Sequence, residues 1–478
     1  MNCKKWLACL MALLMVVFAA IPAAAAKKKT EEADQNLRVV SLSDIHILPG
    51  ELMTDPELCR KNFSTDIKDN WHNEAIISST LQKVKELKPE VLLVSGDLTK
   101  NGEKLGHAEL SRWLEALQKS VPGMHVYVIN GNHDINAEGN TPVPGTARIT
   151  PEEFRSYYKI TYQDPTIIAR YVPKNGAVAG QESYVARPKP GYTIIAMDDG
   201  RYSSDNTKSG KNIAEGGGQI TPDLEKWILQ QIEAAKQRGD KIIGMQHHGE
   251  VAHYNLEGPN LVADHDRLSK EFADAGMHMI FTGHMHNQRV SHLKTEKGND
   301  LYDVETCTPL TFPSVFRLLN FQPDGTVSWQ TVQTDPKITD MLDKRCVTVE
   351  WLASNVNQAL KLEDTKAGDV VTEIIDQLAN SKIDDTHTFL DFGNYIAKNL
   401  FAGTDDGNDP QWVKQALSMV QDGSLLKRVI LPESEWNTLF CKLQTPGAAA
   451  LNAVLYKLVM GLDESGYAPM NQNYTAKI

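Results

Sequence analysis

The stretch YVINGNHDIN, Tyr127 to Asn136, begins as an apolar run and breaks into Gly-Asn-His-Asp. An ordinary turn after a strand has that form. So does a strand whose end presents an amide, an imidazole and a carboxylate for chemistry. The surrounding sequence decides between the two. HVYVIN (125–130) is preceded by EVLLVSGD (90–97) and LRVVSLSD (37–44), two more short apolar runs that stop at a carboxylate. Between them, Ile76, Ile77, Leu81, Val84 and Leu87 recur at helical spacing over 73–87, and a second helix is predicted at 104–119. Strands alternating with helices define an α/β domain. Further strands are expected at 182–187, 192–198, 241–246, 278–282, 301–306, 315–321 and 326–332. Thr221-Pro222-Asp223 starts a helix with a capping oxygen, a proline in the first turn and an acid near the positive end. Gly216-Gly217-Gly218 sits in no phosphate-binding pattern and reads as a turn.

From about residue 336 the strand-like runs stop. Val370, Val371, Ile374, Ile375 and Leu378 share one helical face, Ala448 to Leu462 reads as another helix, and GTDDGNDP (403–410) separates helical stretches. A second, mostly helical domain is expected at 336–478, without a catalytic constellation.

Polar clusters stand at the ends of the apolar runs: SDIH (Asp44, His46), SGDLTKNG (Asp97), NGNHD (Asn132, His133, Asp134), MQHH (His247, His248) and TGHMH (His284, His286). Each is weak alone, but a series at successive strand ends is hard to dismiss. Residues i and i+2 of a strand point to one face, so Asp44 and His46 are expected to project together, as are His284 and His286. Strand carboxyl ends in an α/β sheet converge on one crevice. Carboxylate, amide oxygen and imidazole, without thiolate, suit manganese, iron or zinc. A carboxylate at Asp97 is placed to bridge two such ions about 3.5–4 Å apart.

Length and composition allow a large core: 478 residues, hydrophobic 41%, charged 23%. Lys4 and Lys5, an apolar run from Trp6 to Ile21, and Ala23-Ala24-Ala25-Ala26 have the layout of a secretory signal peptide cut near Ala26, with an uncleaved anchor as the alternative. Residues 27–36 form a polar leader, in which Lys27-Lys28-Lys29 reads as a solvated tail. No later run is long enough to span a bilayer. Cleavage removes two lysines and no acid, taking the formal charge from −12 to −14. An acidic chain without a basic stripe is a poor nucleic-acid binder. Cys59, Cys307, Cys346 and Cys441 remain, with no CxxC spacing; they permit three disulfide pairings or free thiols.

The ordered set of DxH, GDxxxxG, GNHD, a histidine pair after a strand, and GHxH resembles the calcineurin-like metallophosphoesterase superfamily over about residues 37–333. The layout, with a helical extension, is also similar to exported bacterial members that resemble cyclic-nucleotide phosphodiesterases. The resemblance implies a layered β-sandwich flanked by helices over 37–335. It implies one metal ion held by Asp44, His46, Asp97 and His286, and another by Asp97, Asn132, His247 and His284. His133 would stand outside the metals and face the substrate as general acid, with Asp134 orienting it. His247 rather than His248 is taken as ligand because the family usually uses the first histidine of the pair, alternation allowing only one of them to face inward. The implied reaction is hydrolysis of a small-molecule phosphodiester, cyclic nucleotides included, by in-line attack of a metal-bound hydroxide. A phosphomonoesterase on the same centre, or a cell-surface binding protein with a vestigial site, are the alternatives. The oligomeric state is left open.

The sequence departs from many family members after the histidine pair, where HHGEVAHY has no prolines. Glu250 and His253 then fall near the expected substrate side, His253 as a substrate contact, with an exposed polar loop as the plainer reading. His107, His125, His265, His278 and His292 have no partner spacing and read as structural. Cys307 reads as a packed strand residue or a disulfide half.

Overall fold

The computed structural model describes residues 36–478 except 65, 138–148, 255–256, 343–345, 360–361, 363–364, 404–408, 423, 436, 438 and 440–472. The expected signal peptide, nearly all of the leader, Cys441 and the helix at Ala448–Leu462 lie outside the described residues. Among those described, no helix is long and apolar enough to cross a membrane.

In chain order the strands are β1 (Leu37–Leu42), β2 (Val91–Ser95), β3 (His125–Ile129), β4 (Ile167–Arg170), β5 (Tyr184–Lys189), β6 (Tyr192–Ala196), β7 (Lys241–Met245), β8 (Met279–Thr282), β9 (Val290–Lys294), β10 (Asp300–Glu305), β11 (Val315–Phe321), β12 (Thr326–Gln333) and β13 (Asn473–Lys477). They form two mixed sheets, ordered β13-β12-β11-β1-β2-β3 and β4-β5-β6-β7-β8-β10-β9. In the first, β1, β2 and β3 run parallel; in the second, β6, β7, β8 and β10 do.

The sheets pack face to face because their strands alternate. Ile194, Ile243 and Phe281 point into a core shared with Val39, Leu93 and Tyr127 of the first sheet. Their neighbours Ile195, Ile242 and Ile280 point outward, against Ile228 and Ile232 of the helix Pro222–Gln237 and Phe272 of the helix His265–Ala275. The helices Asn73–Leu87 and Lys104–Ser120 cover the outer face of the first sheet with Ile77, Leu81, Val84, Leu110 and Leu114. The result is the layered, helix-flanked sandwich expected from the sequence.

Beyond β12, the helices Val349–Ala359, Lys366–Ala379, Phe389–Ala402 and Gln411–Gln421 gather around a separate core that includes Val371, Ile374, Val413 and Val420. Strands do not stop at residue 336, however. After the helical region the chain returns to the first sheet as β13, pairing antiparallel with β12 from Thr326↔Lys477 to Gln330↔Asn473. Cys59, Cys307 and Cys346 are buried free thiols.

Candidate metal centre

The loops after β1, β2 and β3 of one sheet, and after β7 and β8 of the other, meet at one end of the sandwich. All of Asp44, His46, Asp97, Asn132, His247, His284 and His286 come together there. They do so by a different local route from the one the spacing suggested. β1 ends at Leu42 and β8 at Thr282, so neither the Asp44/His46 pair nor the His284/His286 pair lies on a pleated strand. Instead Asp44 (φ 51), His46 (φ 44), Asp97 (φ 50), His284 (φ 77) and His286 (φ 57) all take left-handed backbone. That conformation is uncommon for residues with a Cβ and costs on the order of 1 kcal/mol or more at each position, a form of strain that gathers at functional sites.

Two sets of donor atoms result. In one, His286 Nε2 is 3.2 Å from Asp44 Oδ1 and 3.2 Å from His46 Nε2. In the other, Asn132 Oδ1 lies 3.2 Å from His247 Nε2 and 3.1 Å from His284 Nδ1. Asp97 joins them. Its Oδ1 accepts a hydrogen bond from the His133 backbone N–H at 2.8 Å, while its Oδ2 lies 3.6 Å from His46 Nε2 and 3.3 Å from His247 Nε2.

The chemistry of these atoms tests whether cations fit. His46 Nδ1 faces the Thr99 carbonyl at 3.2 Å, and His247 Nδ1 faces the Ser95 carbonyl at 2.8 Å. A carbonyl only accepts, so in each ring Nδ1 carries the proton and the neutral ring presents a lone pair at Nε2. Those lone pairs point at carboxylate and amide oxygens, which also only accept here. Buried acceptors facing one another are costly unless a cation lies between them. The residues therefore fit bound metal ions, with nitrogen and oxygen donors of the manganese, iron or zinc type.

The local electrostatics agree. Burial alone would lower the His247 imidazole, yet Asp97, with Asp44 and Asp199 beyond it, raises it to about 10. Burial likewise opposes ionisation of Asp97, but His247, His133 and His46 hold it well below the usual carboxylate range. Burial pushes His46 and His284 well below an ordinary imidazole. The carboxylates that hold a proton on His247 make the centre attractive to positive charge, which a metal ion at these donors would supply in place of that proton.

Glycines keep the space open. A Cβ at Gly131 would run into Asp97 Oδ1 and sit 2.8 Å from His247 Nε2. One at Gly283 would collide with Ser43 and Asp44.

Several expected roles need correction. Asp134 does not meet the His133 ring: its Oδ1 accepts from the backbone N–H groups of Leu98 and Thr99, and its Oδ2 from that of Gly131. It clasps the loop after β2 to the loop after β3. The His133 ring instead hydrogen-bonds through Nδ1 to Asn101 Oδ1 at 2.7 Å, which leaves Nε2 turned toward the centre, 4.0 Å from Asp97 Oδ2. Asn101 lies in the SGDLTKNG motif but is not picked out by it. His248 is also turned inward. Both histidines follow the end of β7, where strand alternation no longer applies. The His248 ring centroid is 4.3 Å from that of His284, and its Nδ1 is 3.1 Å from Asp199 Oδ2. Gly218 is more than a turn residue, since a Cβ there would lie 2.7 Å from Asp199 Oδ2 and 3.0 Å from His248 Nδ1. Finally, Glu250 and His253 are fully buried, so the loop after the histidine pair neither exposes them nor turns His253 to a substrate.

A sequence profile of the calcineurin-like phosphoesterase family matches residues 37–288. The chain belongs to the calcineurin-like phosphoesterase family, a class of metal-dependent phosphoester hydrolases. No curated protein sequence matches it. Among solved structures it is similar to a dimetal phosphatase from Danio rerio, at 9% identity and a TM-score of 0.42, covering 63% of this chain and 99% of that one. It is similar to the purple acid phosphatase PPD1 from yellow lupin (Lupinus luteus) seeds at 12% identity and a TM-score of 0.37, covering 63% of this chain and 52% of that one. GAP50, the anchor in the inner membrane complex of Plasmodium, gives 11% identity and a TM-score of 0.32 over 63% of this chain and 85% of its own.

Proposed function

We propose that this protein is an exported phosphodiesterase with a two-ion centre. One ion would be held by Asp44, His46, Asp97 and His286, the other by Asp97, Asn132, His247 and His284. The observation that carries the reading is Asp97 Oδ2, a single oxygen facing His46 from one donor set and His247 from the other. When bound, such ions neutralise phosphoryl oxygens and acidify water, which supports in-line displacement at phosphorus.

The protein's own residues then divide the remaining work. Asn101 fixes the His133 ring, and His133 Nε2 is free to give a proton to the leaving alkoxide. Asp134 keeps the two ligand-bearing loops in register. Near His133 lie Lys68 and Lys100, both paired with Asp66. Two ammonium groups sharing one carboxylate leave a single net positive charge, which matches the one negative charge of a diester better than the two of a monoester. Export is supported by the N-terminal pattern of lysines, apolar run and small residues. The expected unit is a phosphoesterase domain at 37–335 with a helical region after it.

Rates on bis-aryl and mono-aryl phosphates with added manganese test the substrate class. A higher efficiency on the monoester would overturn the diester reading in favour of a phosphomonoesterase. The N-terminal sequence of protein recovered outside the cytoplasm tests export, and a chain retaining Met1 would contradict cleavage near Ala26.

A further inference from the structure

Outside the centre just described, a second cluster of metal-ligating side chains is sealed inside the protein. His253, Glu257 and Glu305 are each no more than 1% exposed. One donor atom from each lies within 4.8 Å of the other two. His253 Nδ1 is 3.3 Å from Glu257 Oε1 and 3.1 Å from Glu305 Oε2.

The outward-facing atoms of the three side chains are already committed. His253 Nε2 lies 3.2 Å from the Asp303 carbonyl, which fixes a proton on that nitrogen. Glu257 Oε2 accepts from the His253 backbone N–H, and Glu305 Oε1 accepts from that of Asn287 at 3.2 Å. A nitrogen and two carboxylate oxygens are left facing one another. A proton on Nδ1 would point at Glu257 and satisfy that carboxylate alone. Glu305 Oε2, although nearer, accepts no hydrogen bond among the described residues. Leaving a buried carboxylate oxygen unmatched beside another carboxylate is expensive, and a cation at their common focus removes the cost. The spacing suits one: donors about 2.0–2.1 Å from a tetrahedral zinc ion stand roughly 3.3 Å from each other.

We propose that His253, Glu257 and Glu305 bind a further divalent ion of the zinc or manganese class, separate from the phosphoester centre. One imidazole and two carboxylates are an ordinary ligand set for such ions. Its place in the chain suggests what it does. His253 and Glu257 lie in the loop that begins with His247 and His248. Glu305 ends β10 and holds the Asn287 N–H, next to His286. An ion here ties the two histidine-bearing loops of the second sheet together from behind.

The experiment uses the full chain with the phosphoester centre disabled by Asp97→Asn. After loading with zinc or manganese and desalting, elemental analysis should find one ion per chain in Asp97→Asn and none in Asp97→Asn/Glu305→Gln. No ion in the single variant, or one retained in the double variant, would overturn the proposal. Nitrogen NMR of the histidines in the unmutated, metal-loaded protein does not depend on either variant folding. His253 should carry a proton on Nε2 only, and a doubly protonated ring would overturn the site.

Discussion

His46 and His286 face each other through their Nε2 atoms at 3.2 Å, with the Thr99 carbonyl holding the only proton of the neutral His46 ring on its far side. A lone pair on His46 thus looks across at His286, and Asp44 Oδ1 stands 3.2 Å from the same His286 nitrogen. The pair has no hydrogen-bonding reason to approach unless His286 donates. It has a clear reason if both rings bind one ion.

Chelation should therefore do more than stop turnover. A ligand that binds the folded state alone stabilises it by RT ln(1 + [L]/Kd), about 2.7 kcal/mol at a hundredfold excess over Kd. The melting temperature is expected to fall on EDTA treatment and to recover, with activity, on adding back manganese or zinc. An unchanged melting curve would mean that the centre does not hold metal in the folded protein.

Asp97 and His133 should separate by readout. Asp97→Asn is expected to lose the metal of this centre and turnover together. His133→Ala should keep its metal and lose about 10²–10⁴-fold in kcat, the range for a general acid. Loss of metal in the His133 variant, measured by elemental analysis, would contradict its position outside the donor sets.

Asn101 is a positioning residue, and its test is a pH profile. Burial, with Lys68 and Lys100, lowers the His133 imidazole, while Asp97 opposes that shift. A general acid must be protonated, so a lowered pKa brings the basic limb of kcat to lower pH. Asn101→Asp keeps the acceptor and adds a negative charge, which should move that limb to higher pH. Asn101→Ala should reduce kcat about tenfold, with metal content unchanged. A limb that does not move in Asn101→Asp would remove Asn101 from this role.

His248 should matter to metal affinity. With Asp199 holding its Nδ1 and its ring beside His284, His248→Ala is expected to weaken metal binding by about 10–100-fold. Titration of metal-free protein with manganese, followed by calorimetry, checks this. An unchanged affinity would reduce His248 to packing.

Asp240 gives a prediction on stability. It accepts from Arg187 Nε and Nη2 at 2.8 and 2.9 Å, from Arg238 Nε at 3.0 Å and from Thr193 Oγ1 at 2.9 Å. Burial opposes its ionisation, but these partners lower it from 3.8 to about 2. A depressed carboxylate contributes stability that is present above its unfolded pKa and lost as pH falls through the folded one. The contribution is about 2 kcal/mol. The stability gap between the protein and Asp240→Asn, from denaturant melts, should be full above about pH 4 and should close toward pH 2. A gap independent of pH would assign the effect to packing.

Most of the fold and the donor set are legible in the sequence because both rest on short-range signals. EVLLVSGD and HVYVIN are buried on both faces and read as strands by apolar content alone, and the polar residues that follow them carry the donors. β4, β9 and β13 escape that reading. They lie at or beside sheet edges, and segments such as IIAR, VSHLK and NYTAK mix apolar and polar residues without a long apolar run. Asn101, His248 and the true partners of Asp134 escape for another reason. Each is defined by a contact between loops of different strands, and spacing along the chain carries no record of which loop a side chain will meet. The left-handed residues at the centre are invisible in the same way, since their backbone is imposed by the site and not by local preference.

Consider last the return of the chain at β13. The backbone of residues 473–477 closes against β12, and Ile478 N–H reaches the Gly325 carbonyl at 2.8 Å. The helical region is thus fastened at both ends to one sheet rather than trailing from it. A nick within that region would leave two polypeptides still joined by a β-ladder, so a gel under denaturing conditions would reveal a break that gel filtration would miss. Removing everything after residue 335 would instead strip β12 of its neighbour and leave an unpaired edge open to other chains. To ask what the helices contribute, one would excise them and splice β12 to β13 with a short turn.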